Sequence, residues 1–154
     1  MKEILNFCED LLRHMHMDMT AEGREENGFV HINITGNDRG CLLSNSAALL
    51  NSLEYLLNRV YPGAVDRGKS RKEESSFIEL DSDDYRKHRK LELELLAQMA
   101  SQKVLALRKP LALQPMVPSE RKIVHTALAG IPGVESMSEG SGENRGITIY
   151  PVVL

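Results

Sequence analysis

Apolar positions recur along the chain in two rhythms, and the changes of rhythm mark its elements. In residues 3–15, Ile4, Phe7, Leu11 and Leu12 fall at helical spacing among acidic residues, which predicts an amphipathic helix. A strand is expected near 16–22, then a turn at Glu25-Glu26-Asn27-Gly28. From Phe29 to Thr35 the period drops to two: Val30, Ile32 and Ile34 alternate with His31 and Asn33, as in a half-buried strand. Gly36–Gly40 is turn chemistry, followed by Cys41-Leu42-Leu43 and Ser44-Asn45-Ser46-Ala47. From Ala48, a stripe of Leu49, Leu50, Leu53, Leu56, Leu57 and Val60 predicts a helix that stops at Pro62-Gly63. A charged loop, Asp66–Glu74, leads into a short strand at 77–80.

The second half opens on a long helix, Tyr85–Leu107. Asp81 or Ser82 is expected to cap it, with Asp83 and Asp84 in a first turn where carboxylates favour the helix dipole. Leu91, Leu95, Ala97, Met99 and Val104 are its expected buried positions. The basic run Arg86–Lys90 reads as a solvated face, with phosphate contact as the alternative. After Lys109-Pro110 come a strand at Leu111–Met116, a helix at Ser119–Ala129, a strand at Val134–Ser138, a loop at Glu139–Asn144 and a strand at Arg145–Pro151. The pattern is α+β, with domains at 1–81 and 110–154 joined by a connecting helix over 82–109.

Composition narrows the class without naming a function. The 154 residues allow one ordinary domain or two small ones. No apolar run approaches the roughly 18 residues of a membrane span, and the acidic residues in MKEILNFCEDLL argue against a signal peptide. Cys8 and Cys41 lie far apart in no CxxC pattern, so neither a disulfide framework nor zinc is indicated, and a cytoplasmic protein is expected. Charge is unevenly spread: residues 1–65 hold five Lys/Arg against nine Asp/Glu, while 108–154 hold five against four. A polyanionic partner would therefore meet the C-terminal part.

Several local patterns imitate chemistry. Gly63 to Ser70 fits GxxxxGK[ST] letter for letter, but a helix precedes it and a charged loop follows, where a phosphate loop needs a buried strand before and a helix after. Gly140, Gly142 and Gly146 join two strands and open no helix. His14, His16 and His31 read as surface histidines, and Asp81/Asp83/Asp84 as capping residues rather than a metal site. Ser44, Ser46 and Ser138 read as turn residues. No catalytic constellation, metal site or cofactor site is found.

In residues 1–81 the order is helix, strand, strand, short helix, loop, helix, strand, which resembles the prokaryotic type II KH domain. Gly40-Cys41-Leu42-Leu43 and Leu53-Glu54-Tyr55-Leu56 carry the likeness. In that family a G-x-x-G loop clamps a single-stranded backbone. Here that position reads Ser44-Asn45-Ser46-Ala47, without glycine flanks or a cation. The resemblance thus implies a KH fold with a weakened grip on nucleic acid, open to a structural or protein-pairing role. Residues 110–154 resemble the R-3-H domain through Gln114-Pro115-Met116, Pro118-Ser119-Glu120, Arg121-Lys122-Ile123-Val124-His125, Ser138-Glu139-Gly140 and Asn144-Arg145-Gly146-Ile147. The two in this order, with Asp81, Tyr85, Arg86 and Arg89 between them, resemble the bacterial Jag (SpoIIIJ-associated) family. Members often carry a further N-terminal domain and linker, which this sequence does not show.

Arg121 and His125 are neighbours on a helix face. Val124, Ala127, Leu128 and Ile131 make the apolar stripe, with Arg121 and His125 along one edge of it, within the first two turns where the dipole favours an anion. Lys122 and Arg145 are placed to add phosphate contacts. The plain alternative pairs Arg121 with Glu120 or Glu139 and packs His125 as a hydrogen-bonded border residue. With the resemblance included, the expectation is a non-catalytic protein binding single-stranded RNA or DNA, RNA being the expected class, mainly through Arg121, His125, Lys122 and Arg145. The alternative is an adaptor pairing through the KH-like part with a small KH-domain protein or with itself.

Overall fold

The computed structural model describes residues 1–26, 29–62 and 78–152. The turn at Asn27-Gly28 and the stretch from Gly63 to Ser70 lie outside the described residues. The chain divides into two compact units, Met1–Tyr85 and Arg86–Leu154.

The first unit runs α1 (Lys2–His14), β1 (Met19–Glu26), β2 (Phe29–Gly36), α2 (Arg39–Val60) and β3 (Ile78–Asp81). α2 is broken at Ser44–Ala47, so the order is the expected α-β-β-α-α-β. The sheet order is β1-β2-β3, antiparallel between β1 and β2 and parallel between β2 and β3. The period of two in β2 turns Val30, Ile32 and Ile34 to one face. Both helices cover that face, α1 through Ile4, Cys8 and Leu12 and α2 through Leu42, Leu50, Leu53 and Leu57. Each large side chain so buried contributes about 1.5–3 kcal/mol. Beside the core, Asn58 clips β3 to α2, its Nδ2 donating to the Ile78 carbonyl (2.8 Å) and its Oδ1 accepting from the Ile78 amide (3.0 Å).

β1 starts three residues later than the sequence pattern placed it. The chain first turns at Met15–Asp18, where His16 takes a positive φ of 58° and the Met17 amide donates to the Leu12 carbonyl. Only Met19 and Ala21 of β1 are buried, too few to show a strand rhythm. The expected cap of the long helix is also different. Asp81 ends β3, Asp83 and Asp84 sit at positive φ, and the helix begins at Tyr85 with no acid in its first turn. Ser82 is buried instead, taking hydrogen bonds from Arg39 at its Oγ (3.0 Å) and carbonyl (2.8 Å).

The second unit runs α3 (Tyr85–Leu107, its first residue counted with the first unit), β4 (Leu111–Ala112), α4 (Pro118–Ala129), β5 (Val134–Glu139), a 3-10 turn (Gly142–Asn144) and β6 (Gly146–Pro151). Its antiparallel sheet has the order β4-β6-β5. Residues 82–109 had the look of a connector, yet α3 packs into this unit's core. Leu93, Ala97, Ala100 and Val104 close against Val124, Leu128, Ile147 and Ile149. Of the five buried positions expected in α3, Ala97 and Val104 hold. Leu91, Leu95 and Met99 are 55%, 57% and 62% exposed, and the packed face is built on Leu93 and small residues. The strand expected over Leu111–Met116 shrinks to two residues. Beyond it the chain still runs along β6, with Leu113 N donating to Ile147 O and Met116 N to Arg145 O.

Cys8 is buried, and burial first, then Glu9, pushes its thiol up to about 11. Such a thiol is inert as a nucleophile. Among the described residues, no helix is long and apolar enough to cross a membrane and no cluster of metal-ligating side chains exists.

Candidate nucleic-acid interface

Strand register decides what faces α4. Ser136 pairs with Ile149 and Ser138 with Ile147, so both serines lie on the side of β5 that faces the helices. Val124 and Leu128 are the buried stripe of α4. Arg121 and His125 lie beside that stripe and meet the serines. His125 Nδ1 is 2.7 Å from Ser136 Oγ, and its Nε2 is 3.0 Å from Ser138 Oγ. Arg121 Nη1 donates to Ser138 Oγ at 3.3 Å, while its Nε is buried without an acceptor.

Neither acid offered by the sequence pairs with Arg121. Glu120, 8% exposed at its side chain, takes a 2.7 Å ion-pair bond from Arg89 Nε on α3. Glu139 lies on the opposite face of the sheet, accepting from Thr148 (2.7 Å) and Tyr150 (2.5 Å). Those bonds, Tyr150's first, hold the Glu139 carboxyl below its ordinary value, and the carboxylate in turn raises the Tyr150 phenol. The depressed carboxyl stabilises above its unfolded value and loses that effect as pH falls through the folded one. Tyr150→Phe is therefore expected to move the Glu139 pKa upward toward 4.5 in a carboxyl-carbon NMR titration. An unmoved titration would deny the coupling.

Lys122 is exposed on the outer crest of α4. Arg145 is exposed just before β6, in extended conformation (φ −86°, ψ 120°), and strand alternation puts it on the side of Ile147 and Ser138. The hairpin is tight there: at Gly140 (φ +91°) a Cβ would lie 2.4 Å from the Asn144 carbonyl oxygen. The four residues named from the sequence thus share the second unit, with Arg121 and His125 bridged through Ser138. Ser136 was missed. Its signal was the alternation Val134, Ser136, Ser138, two small hydroxyl residues on the helix-facing side of a strand.

The Ser44–Ala47 loop keeps a backbone that suits glycine. Asn45, Ser46 and Ala47 have φ of 52°, 57° and 56°, a region that asparagine tolerates but that costs residues such as serine and alanine roughly 1–2 kcal/mol each. Ala47 is buried in the first core, and Ser44 Oγ donates to the Cys41 carbonyl.

Residues 91–151 match the R-3-H domain. A Clostridium symbiosum protein named RNA-binding protein KhpB is 32% identical over 147 residues, covering 94% of this chain and 63% of that protein. The protein of that name from Bacillus subtilis is 35% identical over 138 residues, covering 86% and 60%. One from Streptococcus pneumoniae is 25% identical over 147 residues, covering 96% and 43%. The chain spans about three fifths of the length of the first two relatives. It therefore carries an R-3-H domain at residues 91–151, within a longer stretch similar to proteins named RNA-binding protein KhpB.

Proposed function

We propose that this chain is a non-catalytic protein of the Jag family that binds single-stranded RNA, chiefly by phosphate contacts from Arg121, His125, Lys122 and Arg145. The observation that carries this is the guanidinium of Arg121, which meets a serine hydroxyl but no carboxylate. Its two nearby acids are engaged elsewhere, its Nε lacks an acceptor, and an imidazole stands beside it on shared serine hydroxyls. A forked cation that no acid neutralises, beside an imidazole held only by neutral serine hydroxyls, suits one phosphate group. The names of the relatives support RNA as the ligand.

If Arg121, Lys122 and Arg145 each neutralise one phosphate, the logarithm of affinity should fall against the logarithm of salt with a slope of about −2 for a single strand. That is roughly a 20-fold loss between 50 and 200 mM salt. Filter binding of single-stranded RNA, single-stranded DNA and duplex at several salt concentrations reads this directly. A slope near zero, or equal affinity for duplex, would overturn the reading.

The first unit supports a second role. Its α-β-β-α-α-β order supports a degenerate type II KH fold over residues 1–81, but the Ser44–Ala47 loop offers no cation and buries Ala47. Such a unit suits pairing with a small KH-domain protein or with itself more than gripping RNA. Converting Ser44–Ala47 to a Gly-Lys-Arg-Gly loop should then leave RNA affinity unchanged, and a large gain would place RNA at that loop.

A further inference from the structure

α4 has a second flank. Arg121 and His125 border its buried stripe on one side and Ile123 and Ala127 on the other, with Lys122 and Thr126 on the exposed crest between. On that second flank α3 and α4 border an open groove of about 410 Å³, lined by Lys90 and Gln98 of α3 and by Lys122, Ile123, Thr126 and Ala127 of α4. The volume falls in the ~300–1,000 Å³ range of small-ligand sites. Its floor is aliphatic and two ammonium groups stand on its rim. Glu94 also borders it, 3.9 Å from Lys90.

Resting on the single-strand reading above, we infer that this groove is a second nucleotide subsite. A strand held by its phosphate at Arg121 and His125 crosses the crest of α4 at Lys122. It then lays a nucleotide several positions further along the strand in the groove, with the base on Ile123 and Ala127 and the phosphate between Lys122 and Lys90. Continuity favours this occupant, because Lys122 belongs to both flanks and a helix with its side chains is only about 10–12 Å across. Charge favours it too, since two cations face one carboxylate. An aliphatic floor accepts any base, so the subsite adds length dependence rather than sequence preference. Glu94 opposes the phosphate, which gives its removal a distinctive sign.

The experiment uses the full chain and labelled oligouridylates of three and ten nucleotides, read by fluorescence anisotropy at low salt. Lys90→Glu and Gln98→Glu alter exposed positions, and thermal melting checks that each variant folds. Each should weaken the ten-mer about fivefold and spare the three-mer, whereas Glu94→Gln should tighten the ten-mer about twofold. If groove variants shift both oligomers equally, or neither, while changes at Arg121 and His125 still weaken both, the subsite is refuted and the single-strand reading stands. If the unaltered chain binds neither oligomer, both fall together.

Discussion

Replacing Arg121 and His125 together by alanine is expected to weaken single-stranded RNA binding roughly 100-fold at low salt while leaving both units folded. The magnitude follows from what is removed. A hydrogen bond to a charged group contributes about 1.5–3 kcal/mol, and each 1.4 kcal/mol is tenfold in affinity. The lower end applies because the site is half open to water. Both side chains border the core, so the variant loses two bonds to Ser138 and one to Ser136 while the buried Val124 and Leu128 stay in place. Arg121→Lys separates charge from shape: an ammonium keeps the attraction but loses the fork, and most of the loss should persist. Anisotropy titration alongside a thermal melt checks both halves. Wild-type affinity in the folded double variant would remove Arg121 and His125 from the interface.

The reasons this site was partly legible in the sequence are physical. The i, i+4 spacing placed Arg121 and His125 on one helix edge, and α4 confirms that face through buried Val124 and Leu128. What sequence could not supply was the partner across the sheet. Ser136 and Ser138 face α4 only because β5 pairs with β6 in one register, and a one-residue slip would have turned Glu135, Met137 and Glu139 there instead. The same limit misassigned Glu120. Adjacent in sequence to Arg121, it points into the core and is met by Arg89, thirty-one residues earlier.

The long helix fails for a related reason. Hydropathy ranks Leu91, Leu95 and Met99 as core, whereas close packing of α3 against α4 and the sheet selects Leu93, Ala100 and Ser101 beside the expected Ala97. Small side chains let backbones approach and carry little hydropathy signal. In the first unit the period of two in β2 and the leucine stripe of α2 were strong enough to be read directly. β1 was not, because six of its eight residues face water.

Arg89→Ala should be the most damaging change that touches no apolar core residue. Arg89 Nε lies 2.7 Å from a Glu120 carboxylate that is almost fully buried, and it also reaches Glu92 at 3.1 Å. Removing one member of a buried pair costs roughly 3–5 kcal/mol, because the remaining charge keeps its desolvation penalty and loses its counter-charge. Here the arginine is about one third exposed, and Glu120 sits in the first turn of α4, where the helix dipole favours a carboxylate. About 2–3 kcal/mol is therefore expected, read as a lowered urea midpoint for the second unit. Arg89→Leu combined with Glu120→Leu should recover most of that loss, since an apolar pair leaves no stranded charge. The first two turns of α4 also carry Arg121 and Lys122, so the single variant should bind RNA more weakly even where it remains folded. Faster hydrogen exchange confined to the α4 amides would locate the damage. An unfolding free energy within about 0.5 kcal/mol of wild type would mean that the 2.7 Å pair contributes no more than an exposed surface ion pair, roughly 0–1 kcal/mol.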